Sequence, residues 1–193
     1  MSEPISYEAF LQRTDLAFAE WVDGKVIVKP SETSRHQDLA VFLSASLCFF
    51  VEEHGLGWTL SRFQIKLSPD LPGREPDLFF VHHANPAKLR TYYLEGPADL
   101  IVEIISPESR KRDQKEKFSE YERAGVKEYW LIDYEREQAK FYHLNERGIY
   151  QAALLDEGVF RSEVLEGLEL DTAWLWQEPL PPLMHVLKVW GLI

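Results

Sequence analysis

The chain lacks several features that mark common classes of protein. It has one cysteine, Cys48, among 193 residues, so no disulfide can form within it, and a buried core thiol is expected. No apolar run reaches the roughly 18 residues that a membrane span needs. The segment "MSEPISYEAF" holds no basic stretch followed by an apolar one, so no signal peptide is predicted. These absences together favour a cytoplasmic protein.

Positive charge is also scarce. The chain has 21 Lys and Arg residues and 32 Asp and Glu residues, which gives a net charge of −11 and a pI near 5.0. This balance argues against broad, nonspecific binding of nucleic acid, which needs a basic surface, although a local basic face stays open. Hydrophobic residues make up 45% of the chain, enough for a single domain over residues 1–193 with a sizeable core.

Apolar periodicity and turn signals predict a mixed α/β (α+β) protein. The core elements follow the order helix, strand, strand, strand, helix, strand, over residues 34–55, 57–70, 77–81, 99–106, 109–124 and 127–133. The last strand–helix–strand unit predicts a parallel, right-handed crossover in a sheet with helices on its faces. Asp23-Gly24 predicts an added hairpin near the N-terminus, and further β elements follow residue 137.

Glu103 is the charged residue inside the apolar strand "DLIVEIISPES", which is expected to end at Pro107. An unpartnered carboxylate there would cost several kcal/mol or lose its charge. Asp77 begins the preceding apolar strand, and if the two strands are neighbours both carboxylates can project from one face. A shared divalent cation such as Mg²⁺ would resolve their repulsion. A structural ion pair between Glu103 and a Lys or Arg is the alternative.

The helix after Glu103 offers a third candidate. At about 100° per residue, Phe118, Tyr121 and Ala124 mark its apolar stripe. Lys117 and Gln114 fall within that stripe, with Asp113 on its border, whereas Lys115 points away. An inward Lys117 ammonium can orient a water or stabilise charge on a phosphate. Alternatively, its stem lies along the core edge with its head in solvent.

Three further polar residues carry weaker signals. Glu20 shares a strand face with Phe18 and Val22, which makes it a candidate inward carboxylate. His36 lies at the N-terminal end of the apolar face of its helix, where a core or capping role is the simpler interpretation. Tyr121 is expected to pack, with its hydroxyl bonded to a neighbour.

The stretches "REPDLFFV", "DLIVEIISPES" and "RDQKEKFSEYERAGVKEYWLID", preceded by "AEWVDGKVIV" and "RHQDL", resemble the Uma-two (Uma2) family of bacterial proteins over nearly the whole chain. These are restriction-endonuclease-like proteins, and they resemble the PD-(D/E)XK nuclease superfamily in fold. The resemblance implies a restriction-endonuclease-like mixed central sheet flanked by helices.

The resemblance also implies roles for individual residues. Asp77 matches the Asp of the "PD" element, and Glu103 matches the acidic residue of "(D/E)XK". Ile105 stands where that element has Lys, but the superfamily is known to relocate this Lys onto the following helix, and Lys117 matches the helical Lys of the family. Glu20 matches the acidic residue before the "DG" turn and is a candidate additional metal ligand, while His36 matches the family's helical "HQ".

The implied activity is that of a metal-dependent nuclease that hydrolyses phosphodiester bonds. Asp77 and Glu103 would hold Mg²⁺ (or Mn²⁺), Lys117 would assist, and nucleic acid, DNA foremost, would be the substrate. A homodimer is expected by analogy with nucleases that cut two strands. Two alternatives remain: a non-catalytic binding or assembly module, suggested by the acidic charge and Ile105, and a phosphohydrolase for small nucleotide substrates.

Basic residues follow Glu103 closely and are candidate phosphate contacts. Acidic residues such as Glu108, Glu116, Glu120 and Glu122 interleave with them, so a solvated helix face is the favoured interpretation. The basic residues considered are Arg110, Lys111, Arg112, Arg123 and Lys127, together with Arg62 and Arg74 elsewhere in the chain.

Overall fold

A computed structural model describes residues 4–13, 15, 18–29, 31–106 and 109–193. The α-helices are α1 Tyr7–Leu11, α2 Ser34–Glu53, α3 Phe118–Ala124 and α4 Leu183–Val189. A π-helical segment, Arg112–Lys117, leads into α3, and a 3₁₀-helix spans Thr172–Trp176. The strands are β1 Ala19–Val22, β2 Lys25–Val28, β3 Gly57–Ser61, β4 Gln64–Lys66, β5 Gly73–Arg74, β6 Leu78–His82, β7 Lys88–Leu89, β8 Tyr93–Glu95, β9 Leu100–Ile104, β10 Glu128–Asp133, β11 Gln138–Leu144, β12 Tyr150–Ala152, β13 Val159–Arg161 and β14 Glu169–Asp171.

A six-stranded mixed sheet carries the predicted core. Its strand order is β12-β11-β10-β9-β6-β3, in which β9 and β10 are parallel and the other neighbours are antiparallel. The π-helical segment and α3 form the crossover between the two parallel strands. The chain order α2, β3, β6, β9, α3, β10 confirms the predicted core order, and the mixed sheet flanked by helices confirms the expected fold class.

Alternate residues of the central strands enter two separate hydrophobic clusters. Leu100, Val102 and Ile104 pack on one face, in a cluster that includes residues of α2 and α4. Ile101 and Ile105 point to the opposite face, in the cluster that contains Tyr121 of α3. This period of two is the pleat of a strand buried on both faces. Glu103 lies two residues from both Ile101 and Ile105, so its side chain points to the same face of the sheet, which α3 covers.

The N-terminal hairpin forms as predicted around Asp23 and Gly24. Both residues have positive φ, 50° and 80°, which is the backbone of a two-residue turn that matches the twist of the flanking strands. β1 then pairs with β2 on one side and β5 on the other. This places Glu20 of β1 near Arg74 of β5.

The expectation of one strand over residues 57–70 is wrong. The segment breaks after Ser61, because Arg62 takes a positive φ of 50°, and resumes as β4 in a second sheet of order β2-β1-β5-β4-β8-β7. β7 and β8 lie between the predicted strands over 77–81 and 99–106, where no strand is predicted. Apolar alternation continues on both sides of Arg62, so the pattern gave no sign of the change of sheet.

The predicted helix over 109–124 is present but is not regular. Its first part, Arg112–Lys117, is π-helical, and only the second part is α-helical. A turn of π-helix is wider than a turn of α-helix, so a wheel drawn at about 100° per residue misplaces its residues. Asp113, which that wheel puts on the border, is 1% exposed. Pro107 and Glu108 lie outside the described residues.

Candidate metal and phosphodiester site

The pairing of β6 with β9 brings Asp77 and Glu103 together. Leu78 pairs with Val102 in antiparallel register, so one further step places Asp77 opposite Glu103. Asp77 Oδ2 accepts a hydrogen bond of 2.7 Å from the backbone N–H of Ile104. Burial acts to raise the pKa of Asp77, but His36, Lys29 and the Ile104 amide lower it overall. The carboxylate is therefore ionised and fixed at the sheet end.

Glu103 is held by two side chains from the helix that follows it. Its Oε1 accepts hydrogen bonds from Lys117 Nζ at 2.8 Å and from the Tyr121 hydroxyl at 2.7 Å. No hydrogen bond from a described residue reaches Oε2, which leaves those lone pairs for another partner. Burial raises the pKa of Glu103 to about 7, although Lys117 acts in the opposite direction.

Lys117 lies at the centre of a group of carboxylates and is 1% exposed. Besides Glu103, its ammonium contacts Glu20 Oε1 at 3.1 Å and Asp113 Oδ1 at 3.3 Å. Burial disfavours the charged ammonium, yet these three carboxylates raise the pKa of Lys117 well above its usual range. Lys117 is thus a permanent cation that donates hydrogen bonds, and it does not lie along the core edge with its head in solvent.

Glu20 lies inward, as its strand pattern predicts, but its oxygens face cations. Arg74 Nη1 donates to Glu20 Oε2 at 2.9 Å, while Arg74 also makes two hydrogen bonds of 2.7 Å to Glu120. Burial acts to raise the pKa of Glu20, but Lys117, Arg74 and other cations lower it to about 2. A metal ion at Glu20 would have to compete with these cations, and its role as a ligand stays a prediction.

His36 occupies the other side of Asp77. Its Nε2 lies 3.4 Å from Asp77 Oδ1 and 3.3 Å from an oxygen of Glu32. Thr33 accepts a hydrogen bond of 3.1 Å from the His36 backbone N–H and so caps α2. The capping residue is therefore Thr33, and His36 is free to direct its ring toward the carboxylates. Arg62 and Gln37 also contact Glu32.

The carboxylates of Asp77, Glu103, Asp113 and Glu32 border one cleft at the end of the central sheet, together with Lys117 and His36. Glu20 does not line it. Asp77, Glu103 and Lys117, the three predicted catalytic residues, line it together. Glu32 precedes α2 and belongs to no periodic pattern, so sequence reasoning missed it. Asp113 was predicted on the border of the apolar stripe, because the helical wheel assumes α-helical turns and this segment is π-helical. The cleft is lined by Lys29, Ser31, Glu32, His36, Asp77, Glu103, Ile104, Ser106, Ser109, Arg112, Asp113 and Lys117.

The cleft offers carboxylate oxygens of the kind that a hard divalent cation binds. Asp77 Oδ1 and Glu103 Oε2 receive no hydrogen bond from a described residue, and carboxylate oxygens are the ligands that Mg²⁺ takes in proteins. The Ile104 amide holds Asp77 from behind, and Lys117 with Tyr121 hold Glu103. Such support fixes the orientation of carboxylates in metal sites.

Most of the basic residues considered as phosphate contacts are paired with acids. Arg74 is buried, Arg110 contacts Asp133 at 3.0 Å, and Lys127 contacts Asp99 at 2.7 Å. Arg112 differs, because it lines the cleft with its Nε 3.8 Å or more from the nearest carboxylates, those of Asp113 and Glu20. The solvated-face interpretation fits Lys111, Arg123 and Lys127, which are exposed, but not Arg74, and Arg112 lines the cleft.

Comparison with known proteins identifies the family. A family profile described as "Putative restriction endonuclease" (Uma2) matches residues 6–173. The chain belongs to the Uma2 family. A crystal structure from Anabaena variabilis, titled as a putative nuclease belonging to DUF820, has a TM-score of 0.71 with this Uma2 chain. It is 18% identical and covers 90% of this chain and 98% of its own.

The similar structure supports the Uma2 fold, and the family match confirms the resemblance drawn from the motifs. No curated protein matches the chain. Within the described residues, no helix combines the length and apolar character needed to cross a bilayer.

Proposed function

We propose that this Uma2 protein is a metal-dependent nuclease that hydrolyses phosphodiester bonds at the cleft lined by Asp77, Glu103 and Lys117. The observation that carries the proposal is the 2.8 Å hydrogen bond from Lys117 Nζ to Glu103 Oε1 in a cleft that also contains Asp77. It joins an acidic residue of the sheet to a lysine of the following helix. In the (D/E)XK element the lysine stands two residues after the acidic residue, and in this chain that position holds Ile105.

Asp77 and Glu103 would hold Mg²⁺ (or Mn²⁺) through the oxygens that receive no protein hydrogen bond. When bound, such a cation neutralises phosphate charge and lowers the pKa of water. Glu103 is oriented for this by Lys117 and Tyr121, and Asp77 by the Ile104 amide. Glu20 and Asp113 keep the ammonium of Lys117 charged in a buried place.

In the reaction, a water oxygen bonds to phosphorus and the ester P–O bond breaks. The proton lost by water reaches the leaving oxygen through solvent, which yields a phosphate monoester and an alcohol. Lys117 assists through the positive charge of its ammonium, which stabilises the negative charge that accumulates on the equatorial phosphate oxygens in the transition state. Arg112, at the rim of the same cleft, is placed to contact a flanking phosphate.

The test is cleavage of single- and double-stranded DNA and RNA with Mg²⁺ or Mn²⁺, with matched variants. Glu103→Gln should abolish cleavage, and Lys117→Met should lower its rate on the order of 100-fold or more. Glu116→Gln and Lys115→Met change exposed neighbours on the same helical turn, so both should keep wild-type rates. Cleavage by the Glu103→Gln protein at the wild-type rate would refute the proposal.

A small phosphorylated substrate is the second candidate, favoured by the net charge of −11. Long nucleic acid is repelled by an acidic surface at low salt, whereas a nucleotide carries few charges to the cleft. Release of phosphate from nucleotides or short phosphodiesters, with no cleavage of polymers and with the same dependence on Glu103, would select this candidate.

A further inference from the structure

We infer that Glu32, His36 and Asp77 form a second cation position, with a nitrogen ligand, that favours a divalent transition metal such as Mn²⁺ over Mg²⁺. One ligand atom from each of these residues lies within 4.8 Å of the other two. Two ligands that are each roughly 2.1–2.3 Å from one ion can be at most about 4.6 Å apart. His36 Nε2 lies 3.3 Å from Glu32 and 3.4 Å from Asp77, within that limit. The position shares Asp77 with the proposed nuclease site but does not require hydrolysis.

The buried imidazole of His36, which no described residue hydrogen-bonds, points to a ligand. The residue is 4% exposed, and neither ring nitrogen has a hydrogen-bond partner among the described residues. A buried polar group without a hydrogen-bond partner destabilises the folded state, so its presence needs an explanation. Here Nε2 is nearly equidistant from two carboxylates, 3.3 Å from Glu32 and 3.4 Å from Asp77, and is hydrogen-bonded to neither.

The three side chains are held in place by separate contacts. His36 belongs to the first turn of α2, which Thr33 caps, and Asp77 is fixed by the Ile104 amide. Glu32 lies against Arg62 and Gln37. Arg62 and Gln37 both donate to Glu32 Oε2, the oxygen that lies nearest His36, so an ion bound through that oxygen would have to displace the Arg62 guanidinium. The atoms thus converge from a loop, a helix and the start of a strand.

The donor set determines which cation is preferred. Mg²⁺ takes oxygen ligands and retains several waters, whereas imidazole nitrogen suits first-row transition metals. Asp77 Oδ1 faces His36 and is also the oxygen offered to the proposed site with Glu103, so the two positions share this atom. Glu103 adds only oxygen to it, whereas His36 adds nitrogen. The His36 side should therefore discriminate between Mn²⁺ and Mg²⁺, and the Glu103 side should not.

The test is calorimetric binding of Mn²⁺ and of Mg²⁺ to the full chain without nucleic acid. The wild type should bind Mn²⁺ at least about tenfold more tightly than Mg²⁺. His36→Gln and Glu32→Gln should each weaken Mn²⁺ binding by about tenfold or more, since even outer partners of metal ligands contribute that much. His83→Gln, which changes an exposed histidine outside the cleft, is the matched control and should leave both affinities unchanged.

A spectroscopic measurement on the wild type removes any dependence on the folding of the variants. The electron spin-echo modulation of equimolar Mn²⁺ should show coupling to imidazole nitrogen, and Glu32→Gln should diminish it. Absence of nitrogen coupling, or equal Mn²⁺ affinity in the wild type and His36→Gln, would overturn the inference. A failed nuclease assay with nitrogen coupling present would count against the proposed function alone.

Discussion

At the scale of single residues, Lys117 compensates the buried negative charge of the site. Three carboxylates surround one buried ammonium, with contacts of 2.8, 3.1 and 3.3 Å. Glu103 is thus both a member of an ion pair and a candidate metal ligand. The two alternatives that its sequence context suggests are therefore compatible, because Lys117 contacts Oε1 and leaves Oε2.

Replacing Lys117 by Met should destabilise the protein strongly. The substitution leaves Glu103, Glu20 and Asp113 with less compensating charge in a buried place, a change that costs about 3–5 kcal/mol. Lys115→Met, at an exposed position two residues earlier, should alter the free energy of unfolding by less than about 0.5 kcal/mol. Urea denaturation of both variants at pH 7 gives the comparison. Equal stability of the two would show that the buried ammonium is dispensable.

At the scale of elements, the regular parts of the fold were predictable, and the departures from regularity were not. The period of two in β9 and the Asp23-Gly24 turn follow from local rules. The positive φ of Arg62 and the π-helical turn at Arg112–Lys117 arise from tertiary contacts that no local pattern records. Lys117 was still identified, because Phe118 and Tyr121 mark the inner face after the irregular turn.

The end of α3 allows a test of one local rule. Gly125 follows α3 with φ of 85°, and a Cβ added there would meet no atom within 4 Å. Gly125→Ala should therefore cost only the left-handed backbone penalty, about 1–2 kcal/mol, without any clash. Ser119→Ala, at an exposed position inside α3, should be close to neutral. A Gly125→Ala protein as stable as the wild type in thermal unfolding would show that the helix end relaxes.

At the scale of the whole molecule, a few buried polar groups connect the layers. Glu128 of β10 accepts hydrogen bonds from Trp130, from Ser162 and from the backbone N–H groups of Glu163 and Val164. It therefore attaches the central sheet to the segment that leads to β14. Sequence reasoning did not single out Glu128, because three of its four hydrogen-bond partners lie more than thirty residues away. The single domain, the cytoplasmic location and the homodimer remain predictions.

His143 should make the global stability depend on pH. Its Nδ1 lies 3.3 Å from Glu128 Oε2, and this contact raises the pKa of His143 above its ordinary value despite partial burial. The folded state therefore holds the proton more tightly than the unfolded chain does. The resulting stabilisation is complete below the unfolded pKa, about 6.5, and disappears as the pH rises through the higher folded pKa.

The free energy of unfolding, measured in urea between pH 5.5 and pH 8.5, should accordingly contain a decline that His143→Gln removes. The carboxamide carries no titrating proton, so this variant should be less stable than the wild type at pH 5.5 and closer to it at pH 8.5. His83→Gln retains the His143–Glu128 contact and should follow the wild-type curve. A His143→Gln curve parallel to that of the wild type would mean that the proton on His143 does not stabilise the attachment at Glu128.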